Sequence, residues 1–170
     1  AGEVDMLDAI PGYQTSPDAD RFKAVVRDVG GAIIGPTVDL APADRRLYHM
    51  RDVTATVESV ALISSSIMSK KLAVSPRGLV ICVGRGSGSY MPTINHAREL
   101  ATAMSLTAAG AGVPSVMLLT DLDSVLGNSV GHAVGVVETI EFLTDRNRDP
   151  RVLELVLTIV AEMAVLAGVV

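Results

Sequence analysis

Ser66 and Lys70 stand four residues apart in Ser66-Ile-Met-Ser-Lys-Lys71, and Val60, Ile63 and Ile67 recur around them at three- and four-residue steps. A helix with that pattern sets a hydroxyl and an ammonium one above the other beside an aliphatic stripe. Arg51, in Arg51-Asp-Val-Thr-Ala-Thr-Val57, brings a guanidinium into the same stretch. Fixed donors next to an aliphatic wall suit a flat, polar, partly anionic small molecule. The same spacing also fits a surface helix with Lys70 and Lys71 in its last turn, where the helix dipole favours cations.

Gly84-Arg-Gly-Ser-Gly88 follows an apolar run, and such a turn either cradles a phosphate with its amides or simply turns tightly from strand to helix. It matches neither a Walker loop nor a full dinucleotide fingerprint. His49, His96 and His132 show no metal-ligand spacing among themselves. Cys82 lies on an apolar strand, so it reads as a buried, inert thiol.

Several elements must position these groups. Residues 1–10 read as a short helix closed by Pro11-Gly12, and Asp18 as the N-cap of a helix carrying Phe22, Val25, Val26 and Val29. Gly30-Gly31 stops that helix, and Ala32-Ile33-Ile34 is expected to be a short buried strand before Gly35-Pro36. Ala41-Pro42-Ala43-Asp44 opens the helical segment that holds the central stretch, and Ser75-Pro76-Arg77-Gly78 ends it. Leu79 to Val83 and Val116 to Leu119 are expected strands, with Thr93 or Asn95 capping a helix between them. Helices from about Val130 to Leu143 and from Pro150 to Ala167 complete the chain. Strands alternating with helices predict an α/β fold, with a largely parallel sheet and flanking helices. The segment between Pro42 and Leu72 has no strand signal, so it is expected to leave the sheet for a separate α lobe. The predicted division is residues 1–40 and 74–170 as the two parts of an α/β domain, with 41–73 as the helical-lobe segment.

The totals exclude several classes. A net charge of -5 gives no electrostatic case for nucleic acid or an anionic membrane. Glu154 and Glu162 interrupt the closing apolar run at helical spacing, so a buried or interface helix is expected there rather than a membrane span. A single cysteine excludes an intrachain disulfide framework, and a reducing cytosol is the simplest compartment.

Read together, Leu40-Ala-Pro-Ala-Asp-Arg-Arg-Leu-Tyr48, Arg51-Asp-Val-Thr-Ala-Thr-Val57 and Ser66-Ile-Met-Ser-Lys-Lys71 resemble the thymidine and pyrimidine-nucleoside phosphorylases. The resemblance continues through Ile10-Pro11-Gly12, Asp28 to Ile34, Gly86-Ser-Gly88, Leu119-Thr-Asp121 and Glu162-Met163, in one register over essentially the whole chain. It implies phosphorolysis of a pyrimidine nucleoside to free base and (deoxy)ribose 1-phosphate, in a cytoplasmic homodimer whose substrate sits between an α/β domain and an α lobe. Arg51, Ser66 and Lys70 match the family's pyrimidine-binding positions, and Ile63, Ile67 and Tyr90 match positions that line the base pocket. Phosphate is the implied co-substrate. A structural K+ or Ca2+ would sit at Leu126, Ser129 and Glu138, and no organic cofactor is implied.

The chain also departs from the family's pattern. Glu3 stands where a phosphate-binding Thr is expected, Cys82 and Gly84 replace a usual Asp and Lys, and Gly135 replaces a usual Glu. Set against the family, the resemblance implies that these residues are a central portion, with the Lys-His-Ser phosphate loop expected outside them. Beside the enzyme, the resemblance therefore leaves a second expectation: a truncated or catalytically silent homologue that binds a pyrimidine or serves as a subunit partner.

Overall fold

The computed structural model describes residues 2–35 and 41–170, without the side chains of Glu3, Arg45 and Asp52. Pro36 of the expected Gly35-Pro36 stop and the Glu3 side chain lie outside the described residues. The chain divides into two compact units, Ala1–Pro42 with Gly127–Asp149 and Ala43–Leu126 with Pro150–Val170.

The first unit is helical among the described residues. It holds α1 (Gly2–Leu7), α2 (Ala19–Val29) and α6 (His132–Leu143). Asp18 caps α2 by accepting from the Arg21 amide at 2.7 Å, satisfying one of the donors that a helix start leaves open. Gly30 closes α2 in the left-handed region at φ 88°, and its amide donates to the Val26 carbonyl at 2.9 Å. Gly135 lets α1 approach α6, because a Cβ there would stand 3.1 Å from Met6 Sδ.

Residues 32–34 do not form the expected strand. Ile33 is exposed, and its carbonyl accepts from the Tyr13 hydroxyl at 2.6 Å, while the Gly35 amide donates to the Thr15 carbonyl at 2.7 Å. The apolar run is tied to the preceding loop instead of to a neighbouring strand.

The second unit carries a βαβ arrangement. Strand β1 (Leu79–Arg85) pairs in parallel with β2 (Ser115–Asp121), from Leu79 opposite Ser115 to Arg85 opposite Asp121. Helix α5 (Ile94–Gly110) connects them, and the Thr93 hydroxyl caps it by accepting from the His96 amide at 3.3 Å. Side chains alternate along β1 as the pleat requires: Leu79, Ile81 and Val83 join the core, whereas Val80 borders Met163 and Leu166 of α7 (Pro150–Ala167).

Ala97, Ala101, Met104 and Ala108 recur at helical steps on α5 and are buried. Three alanines keep that face low, so α4 (Val60–Ala73) approaches it and drives Met68 into the same cluster. Helix α3 (Pro42–Val53) precedes α4. No described helix is long and apolar enough to cross a membrane.

Cys82 corrects the expected burial. It is exposed on β1, although partial desolvation still pushes its thiol up from the ordinary value, which lowers its thiolate fraction.

Met68 and Met104 are each 1% exposed. Met104→Ala should cost roughly 2–5 kcal/mol in denaturant unfolding, because the helical backbones around it cannot collapse into the space. A loss below about 1 kcal/mol would mean that the α4–α5 seam does not carry the unit's stability.

Candidate functional site

Among the described residues the buried polar side chains, Asp44, Arg51, Ser64 and Ser66, all lie on α3 and α4, two helices that meet at a corner. Asp44, Tyr48 and Arg51 sit at steps of four and three along α3, which puts them on one face. Arg51 is buried at 8% exposure, and its guanidinium is spent largely on backbone. It donates from Nη2 to the Val57 carbonyl at 2.6 Å, from Nη1 to Leu62 at 3.0 Å and from Nε to Thr56 at 3.4 Å. These bonds gather the 54–59 connection and the first turn of α4 around one cation.

The other residues of Arg51-Asp-Val-Thr-Ala-Thr-Val57 shape the same corner. The Thr54 hydroxyl donates to the Met50 carbonyl at 2.8 Å, and the Thr56 amide donates to the Arg51 carbonyl at 3.0 Å. Ala55 sits between them at φ 53°, a left-handed conformation that an L-residue adopts at a cost of about 1–2 kcal/mol.

Across the corner, the Ser66–Lys70 spacing delivers the predicted juxtaposition. Lys70 Nζ donates to Ser66 Oγ at 2.8 Å and to Asp44 Oδ2 at 2.6 Å. Asp44 and Ser66 are buried, and the Lys70 ammonium is half-buried. Tyr48 joins the two cations: its ring centroid lies 5.8 Å from Lys70 Nζ and 6.0 Å from Arg51 Cζ. An ammonium has three donors and a guanidinium five, so each cation keeps N–H groups beyond its protein bonds. Such a cluster can receive a planar polar ligand that accumulates negative charge.

The structure therefore brings Arg51, Ser66 and Lys70 together, and adds Asp44 and Tyr48, which the sequence reading did not assign. The signal for them was the 44, 48, 51 spacing on a helix preceding Ser66 and Lys70. Ile63 and Ile67 are half-buried against the core, one helical step from the polar pair. Tyr90 is exposed, and no described hydrogen bond or ring contact joins it to the cluster.

The glycine turn is not an open cradle. The amides of Gly86, Gly88 and Ser89 donate to the carbonyls of Met91, Leu122 and Gly86, and the Ser87 amide donates to a carboxylate oxygen of Asp123.

Ser129 and Glu138 are together, but with donors facing the carboxylate. Glu138 Oε1 accepts from the Asn128 amide at 2.8 Å, and this amide first, then the nearby Ser129, favours the charged form of the carboxyl. Among the described residues no group of three or more His, Cys, Asp or Glu gathers elsewhere.

A cavity of about 960 Å3 lies in the other unit. Its wall is the apolar side of α2, with Phe22, Val25 and Val29, and the Tyr13 hydroxyl that borders it is committed to Ile33. Gln14 and Arg21 also line it, so volume and donors alone do not exclude it; the α3–α4 corner differs in having its cations held by buried partners on the chain itself.

A two-stranded parallel sheet flanked by helices is consistent with a pentosyltransferase-type α/β domain. The chain belongs to the glycosyl transferase family, a/b domain, whose model matches residues 1–170. Anthranilate phosphoribosyltransferase and thymidine phosphorylase are members of that family.

Two consequences are measurable. Arg51→Ala strands three carbonyls and should cost roughly 1.5–3 kcal/mol in denaturant unfolding, and Arg51→Lys should recover little, since an ammonium cannot span the fork. A change within about 0.5 kcal/mol would refute the role given to the guanidinium.

The second is a pH dependence. Bonds from the Asn128 amide, then from Ser129, hold the Glu138 carboxyl below its ordinary 4.5. A depressed folded-state value stabilises above the unfolded value and loses that contribution as pH falls through the folded one. Hydrogen exchange at Asn128 should therefore stay protected from neutral pH down past 4.5 and speed up only in stronger acid. Glu138→Gln should abolish that acid step.

Proposed function

We propose that this chain carries the base-binding part of a pyrimidine-nucleoside phosphorylase, exchanging a nucleoside's base for phosphate. The observation that supports this most is the Lys70 ammonium, oriented by Asp44 and Ser66 over the Tyr48 ring, with Arg51 on the same ring. Phosphorolysis expels the base with negative charge while the sugar becomes oxocarbenium-like, and cations already in place stabilise that leaving group without reorganising. In this reading Lys70 and Arg51 bind the departing base's charge, Ser66 fixes its orientation, and Ile63, Ile67 and Tyr90 lie against the ring.

Phosphate is the nucleophile, so the protein's task is to hold two substrates in line, and no step passes through a metal or an organic cofactor. The 41–73 segment acts as the α-lobe side of the substrate cleft, and the working form is a cytoplasmic homodimer. In the sequence Glu3 stands at the expected Thr position, and in this reading a carboxylate close to a phosphate dianion is unfavourable by about 1 kcal/mol or more.

Calorimetry with thymine, uracil and thymidine tests the base site. Lys70→Ala should lower affinity by about one to two decades, the worth of a charge-assisted contact. Equal affinities for the two forms would refute the assignment of Lys70.

Turnover with excess phosphate tests the chemistry, and Glu3→Thr should raise the rate of base release. Pyrimidine binding with no phosphorolysis in either form would select the silent homologue over the enzyme.

A further inference from the structure

We propose that Asp123 and Arg85 are positioning residues: they latch the Gly84–Gly88 turn to the chain leaving β2 and so fix where Tyr90 stands. The functional half of this proposal rests on the reading of Tyr90 as a wall of the base pocket. The latch itself rests on geometry alone.

The three glycines of the turn each meet the same segment. A Cβ on Gly84 would collide with the Leu122 side chain, one on Gly86 would stand 2.6 Å from Asp123 Oδ1, and one on Gly88 would stand 2.8 Å from the Leu122 carbonyl. Alternate glycines thus make a flat docking surface for residues 122–123, which accounts for the Gly-x-Gly-x-Gly spacing without a phosphate. The polar contacts follow that surface. Asp123 accepts from the Ser87 amide at 2.8 Å and from Arg85 Nη1 at 2.6 Å. Arg85 also faces Asp121, its register partner, at 3.4 Å, and the Leu122 amide donates to the Arg85 carbonyl at 2.7 Å. A carboxylate of the chain's own occupies the place where an external anion would meet the turn.

The turn is in turn bonded around residue 90. The Ser89 hydroxyl donates to the Gly84 carbonyl at 2.6 Å and accepts from the Met91 amide at 3.0 Å, and the Gly86 amide donates to the Met91 carbonyl at 3.0 Å. Met91 is buried in the core with Met68 of α4, while Tyr90 is 57% exposed. The backbone at 90 is held on both sides and its ring faces outward. Besides these contacts and the Gly88 amide on the Leu122 carbonyl, no described hydrogen bond or ion pair tethers the turn to the β2 exit.

The chain has no tryptophan, so Tyr90→Trp supplies a single indole, excitable selectively beyond the two remaining tyrosines, at an exposed position. In that background Asp123→Ala should lower the anisotropy of the introduced indole and raise its acrylamide quenching roughly twofold, with the thermal midpoint little changed, as expected for a local opening. Asp123→Asn keeps an acceptor for the Ser87 amide and should fall between the two.

With Tyr90 in place, Asp123→Ala should weaken thymine binding by about tenfold. Unchanged indole anisotropy and quenching in both Asp123 variants would overturn the latch. A loosened indole with unchanged thymine affinity would overturn the link between latch and site. A loosened indole in a chain whose parent binds no thymine would uphold the latch and refute the base-pocket reading.

Discussion

A buried guanidinium must find acceptors, and at Arg51 those acceptors are carbonyls of the chain itself. This one constraint sets the α3–α4 corner. By drawing the Thr56, Val57 and Leu62 carbonyls to a common point, Arg51 fixes where α4 starts relative to the end of α3. The rest follows from helical geometry: Asp44 and Tyr48 share its face of α3, and Ser66 and Lys70 stand one turn apart on α4. A cation engaged this heavily with backbone builds a site first, and only its leftover donors can read a ligand. Lys70 is the more available of the two, since its protein partners are side chains at one edge of the cluster.

The corner is anchored from below by packing. Ile63, Ile67 and Met68 place α4 on the alanine face of α5, and Met91 brings the glycine turn into the same core. Tyr90 and the Ser66–Lys70 pair therefore hang from one packed cluster, through Met91 and Met68 respectively. Close-packed cores transmit position faithfully, so a polar site built on both elements keeps its spacing without direct contact between its parts.

What the sequence made legible was local. Asp18 and Thr93 cap the helices they were expected to cap, Pro150 to Ala167 is a helix over the range read from its pattern, and Ser66 lies within hydrogen-bond reach of Lys70. Each depends on residues three or four apart. The misses were long-range. Asp44 meets Lys70 across 26 residues, and Asp123 meets Ser87 across 36, distances at which spacing carries no information. Ala32-Ile33-Ile34 looked like a strand because it is apolar and short, but a strand needs a neighbour, and Tyr13 and Thr15 took its bonds. Cys82 looked buried because its strand is apolar, yet it sits on the alternate face from Ile81 and Val83. The glycine turn could be read as a cradle or as a tight turn, and the sequence could not choose because the carboxylate that meets it, Asp123, comes from beyond the next strand.

The central claim is that the α3–α4 corner, and not the cavity beside α2, receives the pyrimidine. Titrating the isotope-labelled chain with thymine and following amide and side-chain resonances tests this directly. The account predicts saturable shifts at Tyr48, Arg51, Ser66 and Lys70, with Tyr90 following, and none between Tyr13 and Ile34. Shifts confined to Phe22, Val25, Val29 and Ile33, with the corner silent, would contradict it.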